Sequence, residues 1–255
     1  MTLALNTIDY AGDRALGVEP PFAGKLLAGH VMGGSVRDTR RSVLPSLLGP
    51  ASLKGSPTIT DNSMICSRAN GLRLLTPLPD AFSIIVVVRG HILPVNGDIN
   101  PLVTDIGLPT LSGQGKGLAL GGAAGLYSAC IWYEGADGEI KQGAYVSIDG
   151  VPGYPSPQFL GGTLNGNSTK VYAGISNELV TSAVTVSDRS IGAWSNKPSF
   201  VGTDRRAQGQ WRATAAFNPE IYKAFVTTPL TDAEFEAAYR WTQEYASAIF
   251  GLAVQ

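Results

Sequence analysis

The sequence has few charged residues for its length. Only 15% of its 255 residues are charged, against about 25% in an average globular protein. A coiled coil or long helical bundle is excluded, because such folds take roughly half of their residues from Ala, Glu, Lys, Leu and Arg. The net charge is −1, so the chain lacks the basic field that holds a phosphate backbone. We therefore expect no nucleic acid among its partners.

Cysteines and long apolar runs are also scarce. Cys66 and Cys130 form no CxxC pair and have no histidine at ligand spacing, so we expect two buried, reduced thiols and no metal site. The purest apolar run, residues 84–88, is far shorter than the ~20 residues that span a bilayer. The N-terminus shows no signal-peptide apolar region. These absences predict a soluble protein made in a cytoplasm, without membrane insertion, and nothing in the sequence identifies a cofactor.

Glycine and proline, by contrast, are abundant. The 31 glycines and 16 prolines exceed the usual combined share of about 12%, and they separate many short β-type segments. Residues 82–88 are apolar without alternation, which favours a central strand covered on both faces. Residues 125–133 and 139–149 flank a Gly-Ala-Asp-Gly turn and predict a hairpin. Further short strand candidates are residues 170–175, 183–186, 192–194 and 211–217. This spacing is typical of an all-β sandwich.

The two ends of the chain differ from its middle. Turn residues and the Pro20-Pro21 pair interrupt residues 1–24, which we interpret as an N-terminal arm or attachment segment before a single domain at 25–255. Near the other end, Thr231 and Glu234 have the spacing of a capping box. Apolar residues then recur at helical spacing, which predicts one amphipathic α-helix over about 232–248.

The order of these elements resembles a known family. The strand at residues 82–89 follows Leu-Thr-Pro at 75–77. A later strand of the type Ala-Thr-Ala-Ala-Phe at 213–217 leads to Tyr-Lys-Ala-Phe at 222–225, and Leu-Thr-Asp-Ala-Glu at 230–234 then opens the helix. This order is similar to the concanavalin A-like or laminin-G-like jelly roll. With its short arm and low charge, the chain further resembles lectin-like domains of tailed-bacteriophage tail fibres and tail tips.

The resemblance implies a non-enzymatic structural protein of a phage virion, of the tail fibre, tip or baseplate, assembled in the bacterial host cytoplasm. Its partners would be other virion proteins, further copies of itself (a trimer by analogy) and a host-surface glycan. Two alternatives remain open, since jelly rolls carry many functions. One is a polysaccharide lyase or glycoside hydrolase of the same fold, and the other is a capsid decoration protein.

Catalytic chemistry finds little support in the residues. His30 and His91 each precede an apolar residue, a context typical of structural histidines, and no G-x-S-x-G elbow is present. Glu134, Asp137 and Glu139 flank a turn and do not alternate along one strand, as the paired carboxylates of jelly-roll glycosidases do. A solvated hairpin tip, a calcium or sugar-contacting loop and a catalytic pair are the three interpretations. Calcium would need further oxygen ligands from a neighbouring loop.

Carbohydrate recognition needs aromatic faces beside amides or carboxylates. Three aromatic residues meet this condition near turns. The candidate carbohydrate- or partner-binding residues are therefore Tyr154, in a proline- and glycine-rich turn; Trp132 beside Glu134 and Asp137; and Trp194 beside Asn196.

Overall fold

The computed structural model describes residues 20–40, 43, 51–67, 69–89, 99–105, 115–123, 126–148, 156–190, 198–203, 218–250 and 253–255. Its helical elements are a 3-10 turn at Ala23–Lys25, α1 (Val36–Arg40) and α2 (Asp232–Phe250). The strands follow the chain as β1 (Leu26–Val31), β2 (Ser52–Lys54), β3 (Thr58–Ile59), β4 (Met64–Ile65), β5 (Gly71–Arg73), β6 (Phe82–Arg89), β7 (Ile99–Thr104), β8 (Gly117–Ala123), β9 (Leu126–Glu134), β10 (Ile140–Ser147), β11 (Gln158–Asn165), β12 (Ser168–Ile175), β13 (Glu178–Thr185), β14 (Phe200–Val201) and β15 (Glu220–Thr227).

The strands form two antiparallel sheets. The first sheet has the order β13-β12-β11-β6-β15-β4-β3, with β1 also paired to β15. The second sheet has the order β10-β9-β8-β7-β14-β5-β2. Apolar side chains of both sheets meet in one continuous core between them, so the described residues form a sandwich.

Strand β6 lies at the centre of the first sheet, and both of its faces are buried. Ile84 and Val86 point into the core between the sheets, whereas Ile85 and Val87 point to the outer face, where α2 covers them. Because neither face meets water, apolar residues can occupy consecutive positions of this strand instead of alternating with polar ones. The continuous apolar run that predicted a central, doubly covered strand is explained by this position.

Helix α2 packs on the outer face of the first sheet through aromatic side chains. Phe235 stacks on Tyr172 with ring centroids 3.9 Å apart, and Tyr239 meets Phe159 edge-on at 5.3 Å. The helix begins at the capping box: the Glu234 amide donates to Thr231 Oγ1 at 3.3 Å and the Thr231 amide donates to Glu234 Oε2 at 2.8 Å. The helix continues to residue 250, two residues past the predicted end.

The all-β sandwich with one C-terminal helix and the hairpin around residue 136 are confirmed. The candidate strand at 183–186 is the end of the longer β13, whereas those at 192–194 and 211–217 lie outside the described residues, as do arm residues 1–19. The last part of the arm packs on the domain, since Phe22 is buried against Phe225 and Trp241. Cys66 and Cys130 are buried free thiols, and burial raises the pKa of Cys130 to about 12.

Candidate functional site

The β9–β10 hairpin carries three of the predicted binding residues, and its register sorts them onto two faces. Glu134 pairs with Ile140, Tyr133 with Lys141, and Trp132 with Gln142. Paired residues in an antiparallel ladder share a face, and successive residues alternate between faces. Tyr133 belongs to the core between the sheets, so Trp132 and Glu134 lie on the outer face of the second sheet.

The outer face of this hairpin carries two aromatic and two polar side chains. Tyr145 pairs with Cys130 and is 48% exposed, and Trp132, partly buried, lies two residues along β9. Cross-strand diagonal neighbours of this kind are about 7–8 Å apart. Exposed Gln142 faces Trp132 across the ladder, and Glu134 stands at the end of β9. We call Trp132, Glu134, Gln142 and Tyr145 the outer-face platform.

Small residues on the neighbouring strand make room for the platform's indole ring. A methyl group added to Gly121 of β8 would lie 3.2 Å from the Trp132 ring. The indole of Trp132 therefore extends from β9 across to Gly121 on the neighbouring strand. Trp132 and Ile140 both pack against Ala119 of β8. The Trp132 Nε1 hydrogen is buried and has no acceptor within the described part of the chain, which leaves one donor of the platform unsatisfied.

The Glu134 carboxyl group is buried at the end of the platform. Its side chain receives a hydrogen bond from the Gly115 amide and lies near the Lys116 ammonium. Its second oxygen, Oε2, has no hydrogen-bond partner among the residues the structure describes. Burial raises the pKa of Glu134 above its ordinary value, and the Gly115 amide and the Lys116 charge oppose the rise in part. This environment differs from that of a solvated hairpin tip.

The opposite face of the hairpin carries an ion cluster. Lys141 Nζ lies 2.9 Å from Asp137 Oδ2 and also binds Asp188, which accepts a hydrogen bond from the Tyr133 hydroxyl at 3.2 Å. Hydrogen bonds from Lys141 hold the pKa values of Asp137 and Asp188 below the ordinary value of an aspartate. Burial, together with Asp188, raises the pKa of Tyr133. We call Tyr133, Asp137, Lys141 and Asp188 the rim ion cluster.

The rim cluster ties the hairpin to the segment that follows β13. The Ala136 amide donates to the Asp188 carbonyl at 2.5 Å, and the Ser190 amide donates to the Glu134 carbonyl at 2.8 Å. Arg189 donates to the Gly166 carbonyl at 2.6 Å and also to the Asp80 carbonyl. Four chain segments that are distant in sequence are thereby held at one end of the sandwich, although sequence spacing predicted none of these contacts.

The structure thus brings together some of the predicted binding residues and separates others. Trp132 and Glu134 share the outer face, whereas Asp137 lies on the other face and pairs with Lys141. Tyr154, Trp194 and Asn196 lie outside the described residues. Sequence reasoning missed Tyr145, which the alternation of buried Ala144 and Val146 around it could have placed on the exposed face.

The described residues lack both a metal-binding cluster and a membrane-spanning helix. No group of three or more His, Cys, Asp or Glu side chains able to hold a metal ion occurs among them. In the rim ion cluster, the Lys141 ammonium binds both Asp137 and Asp188. It thereby occupies the position between the two carboxylates where a metal ion would bind. His30 is buried with Nδ1 3.2 Å from the Thr39 carbonyl oxygen, and His91 lies outside the described residues. Within the same set, no helix has the length and apolar character needed to cross a membrane.

Comparison with known proteins places the fold. No family model matches the sequence, and no curated protein matches it. Among solved structures, the sialidase of Trypanosoma rangeli superposes with a TM-score of 0.58 at 12% identity, covering 94% of this chain and 36% of that one. The binding domain of a Paraclostridial mosquitocidal protein superposes with a TM-score of 0.55 at 11% identity, covering 87% and 52%.

A third similar structure is domain 4 of AbnA, an extracellular arabinanase of Geobacillus stearothermophilus, in complex with arabinotriose. Its TM-score is 0.53 at 14% identity, with 84% of this chain and 98% of that domain covered. The chain therefore spans about a third of the sialidase, half of the mosquitocidal fragment and nearly all of the arabinanase domain. At these identities the likeness concerns the fold alone, and it supports the jelly-roll sandwich class.

Proposed function

We propose that this chain is a non-catalytic carbohydrate-binding and assembly module, and that its glycan contacts the outer-face platform. The observation that carries the proposal is the exposed Tyr145 ring near Trp132 on one sheet face, with Glu134 at the end of the same strand as Trp132. A pyranose or furanose presents an apolar face that stacks on an aromatic ring and hydroxyl groups that need polar partners. The platform offers both kinds of contact.

The polar groups of the platform are suited to hydroxyl groups. The Trp132 Nε1 hydrogen is a donor and Glu134 Oε2 is an acceptor, and neither has a partner among the described residues. The Gln142 amide can donate and accept. Gln142 is exposed, so its amide can contact ligand hydroxyls directly, whereas Trp132 Nε1 and Glu134 Oε2 are enclosed. The arabinanase domain, which is similar over nearly its whole length, was solved with arabinotriose, and this supports the proposed ligand class.

The arrangement of carboxylates favours binding over catalysis. Hydrolysis of a glycosidic bond canonically uses two carboxyl groups flanking that bond. The raised pKa of Glu134 would suit a general acid, but Asp137 and Asp188 lie on the other face of the hairpin, where both bind Lys141, and Asp80 binds Lys116. One bond cannot lie between groups on opposite faces of the same ladder.

A binding experiment tests the platform. Tyr145→Ala should weaken binding to the best ligand from a panel of neutral oligosaccharides, arabinotriose included, by about tenfold, since it removes the stacking surface. Leu75→Ala, at a similarly exposed apolar residue two residues after β5, is the matched control and should bind as the unmodified chain does. Titration calorimetry measures both. Equal affinity of Tyr145→Ala and the unmodified chain would place the ligand elsewhere.

The same oligosaccharides test the enzymatic alternative, which the raised pKa of Glu134 favours. We expect no release of reducing ends or unsaturated products during prolonged incubation. Product formation that Glu134→Gln abolishes would overturn the non-catalytic assignment.

The sequence resemblance supports a place in the virion of a tailed bacteriophage, in the fibre, tip or baseplate, with other virion proteins as partners. Electron microscopy of particles labelled with an antibody against this chain tests this placement. We expect label at the tail. Label on the capsid shell would indicate a capsid decoration protein instead. Particles without label would contradict a place in the virion.

A further inference from the structure

Strand β13 is the outermost strand of the first sheet. It pairs with β12 along its whole length without a register shift, and no other described strand pairs with it. Its side chains are largely exposed, including Val180 at 39% and Val184 at 41%. A long, regular edge strand of this kind presents a row of backbone groups to any strand that approaches.

The other sheet edges differ from β13 in ways that discourage pairing. The β10 edge has a register shift between Gln142 and Tyr145 and carries Lys141. The edge strands β2 and β3 have three and two residues, and β1, which pairs with β15 alone among the described strands, has a register shift between Leu26 and Ala28. Bulges, edge lysines and short length are the devices by which natural sheets prevent strand addition. Strand β13 has none of them: its eight residues, ELVTSAVT, include no lysine, proline or glycine.

The direction of the backbone groups along β13 follows from one hydrogen bond. The Val186 amide, directly after the strand, donates to the Asn167 carbonyl at 2.8 Å. Even-numbered residues therefore direct their N–H and C=O groups toward β12, because these directions alternate along an antiparallel strand. The groups of Leu179, Thr181, Ala183 and Thr185 point away from the sheet.

We propose that two copies of this chain associate through β13, antiparallel about a two-fold axis at Ser182. In this register Val180 faces Val184 of the second copy, and Ser182 faces its own counterpart. Thr181 pairs with Ala183 and Leu179 with Thr185, so the outward backbone groups form the ladder. About eight new hydrogen bonds result, two for each hydrogen-bonded pair.

The sequence of the strand favours a second copy over other partners. Val-Thr-Ser-Ala-Val at 180–184 has matching valines about its centre, which is the symmetry that a two-fold interface requires. Residues 179–187 carry no charge, and the two Glu178 side chains lie at opposite ends of the interface. No like charges therefore meet within residues 179–187 when the strands pair.

The strands that carry the outer-face platforms, β9 and β10, take no part in the new ladder. The interface lies at the edge of the first sheet, whereas the platform lies on the outer face of the second. Pairing thus joins the first sheets of two copies into one continuous sheet and gives the assembly two platforms.

Sedimentation and cross-linking test the interface. The full chain should sediment as a dimer at micromolar concentration, and Val184→Lys should raise the dimer dissociation constant by about 100-fold, because it places a charge against Val180 of the second copy. Leu75→Lys, at an exposed residue away from β13, is the charge-matched control and should remain a dimer. Circular dichroism of both variants checks that they fold.

Ser182→Cys tests the register independently. In the proposed pairing, the two cysteines form a non-hydrogen-bonded pair with Cα atoms about 4.5 Å apart, within the range that a disulfide bridges. Mild oxidation should yield a covalent dimer, whereas Thr181→Cys, which faces Ala183, should not cross-link. A monomeric chain, a trimer, a dimer that survives Val184→Lys, or failure of Ser182→Cys to cross-link in the dimer would each overturn the proposal.

Discussion

At the scale of single residues, Lys223 is the least expected feature of the core. It lies on β15 under α2 and is 1% exposed, and its ammonium nitrogen has no hydrogen-bond partner within the described ranges. It stands over two aromatic rings instead, 4.3 Å from the Trp241 centroid and 3.4 Å from that of Tyr245. Desolvation lowers the pKa of Lys223 well below its ordinary 10.5. Burial therefore disfavours the charged form of this amine in the folded chain.

Replacing this lysine should stabilise the protein. Lys223→Met keeps an unbranched side chain of nearly the same length but removes an unsatisfied buried donor, so the free energy of unfolding at pH 7 should rise by about 1–3 kcal/mol. Because the unfolded lysine binds a proton below pH 10.5 and the folded one does so only at lower pH, the stability of the unmodified chain falls as pH falls below 10.5. The gain should accordingly be smaller at pH 10. Urea unfolding at both pH values measures it.

A control separates burial from the mere loss of a positive charge. Lys170→Met changes a lysine whose side chain is 33% exposed and pairs with Asp232, and it should bring no gain in stability. A loss of stability in Lys223→Met would show that the aromatic rings hold a charged ammonium, through cation–π attraction, more strongly than burial disfavours it.

At the scale of elements, the sequence predicted those strands, turns and helix ends that are determined by interactions between residues close together in the chain. The β6 run, the turn between β9 and β10 and the capping box at Thr231 depend on residues within a few positions of one another. The rim ion cluster joins Asp137 to Asp188, and the platform joins Tyr145 to Trp132 through a ladder with a register shift. Such contacts depend on register and on chain segments far apart in sequence, which spacing alone does not encode.

Glycines of the first sheet allow α2 to pack closely, and Gly161 is one of them. Gly161 of β11 lies under Phe235, and an added methyl group would stand 2.6 Å from the Phe235 ring. Gly161→Ala should therefore lift α2 from the sheet and lower the free energy of unfolding by about 1–3 kcal/mol. Gly24→Ala, where an added methyl group meets nothing within 4 Å, is the control and should change stability little. Thermal unfolding measures the stability of both variants. If Gly161→Ala were as stable as the unmodified chain, the helix would be able to shift without a loss of stability.

At the scale of the whole molecule, the platform and the β13 edge together predict two-site attachment. A dimer with two platforms binds a dense glycan surface more tightly than a single platform does, because the second contact forms at high effective concentration. Val184→Lys should therefore weaken retention on an oligosaccharide-coated surface by about 100-fold while leaving affinity for the same free oligosaccharide unchanged. Tyr145→Ala should weaken both. Surface plasmon resonance measures retention, and calorimetry on the same samples measures affinity for the free oligosaccharide. Equal loss of affinity for the free oligosaccharide in both variants would mean that β13 and the platform form one site. Undiminished surface retention of Val184→Lys would mean that attachment does not use the dimer.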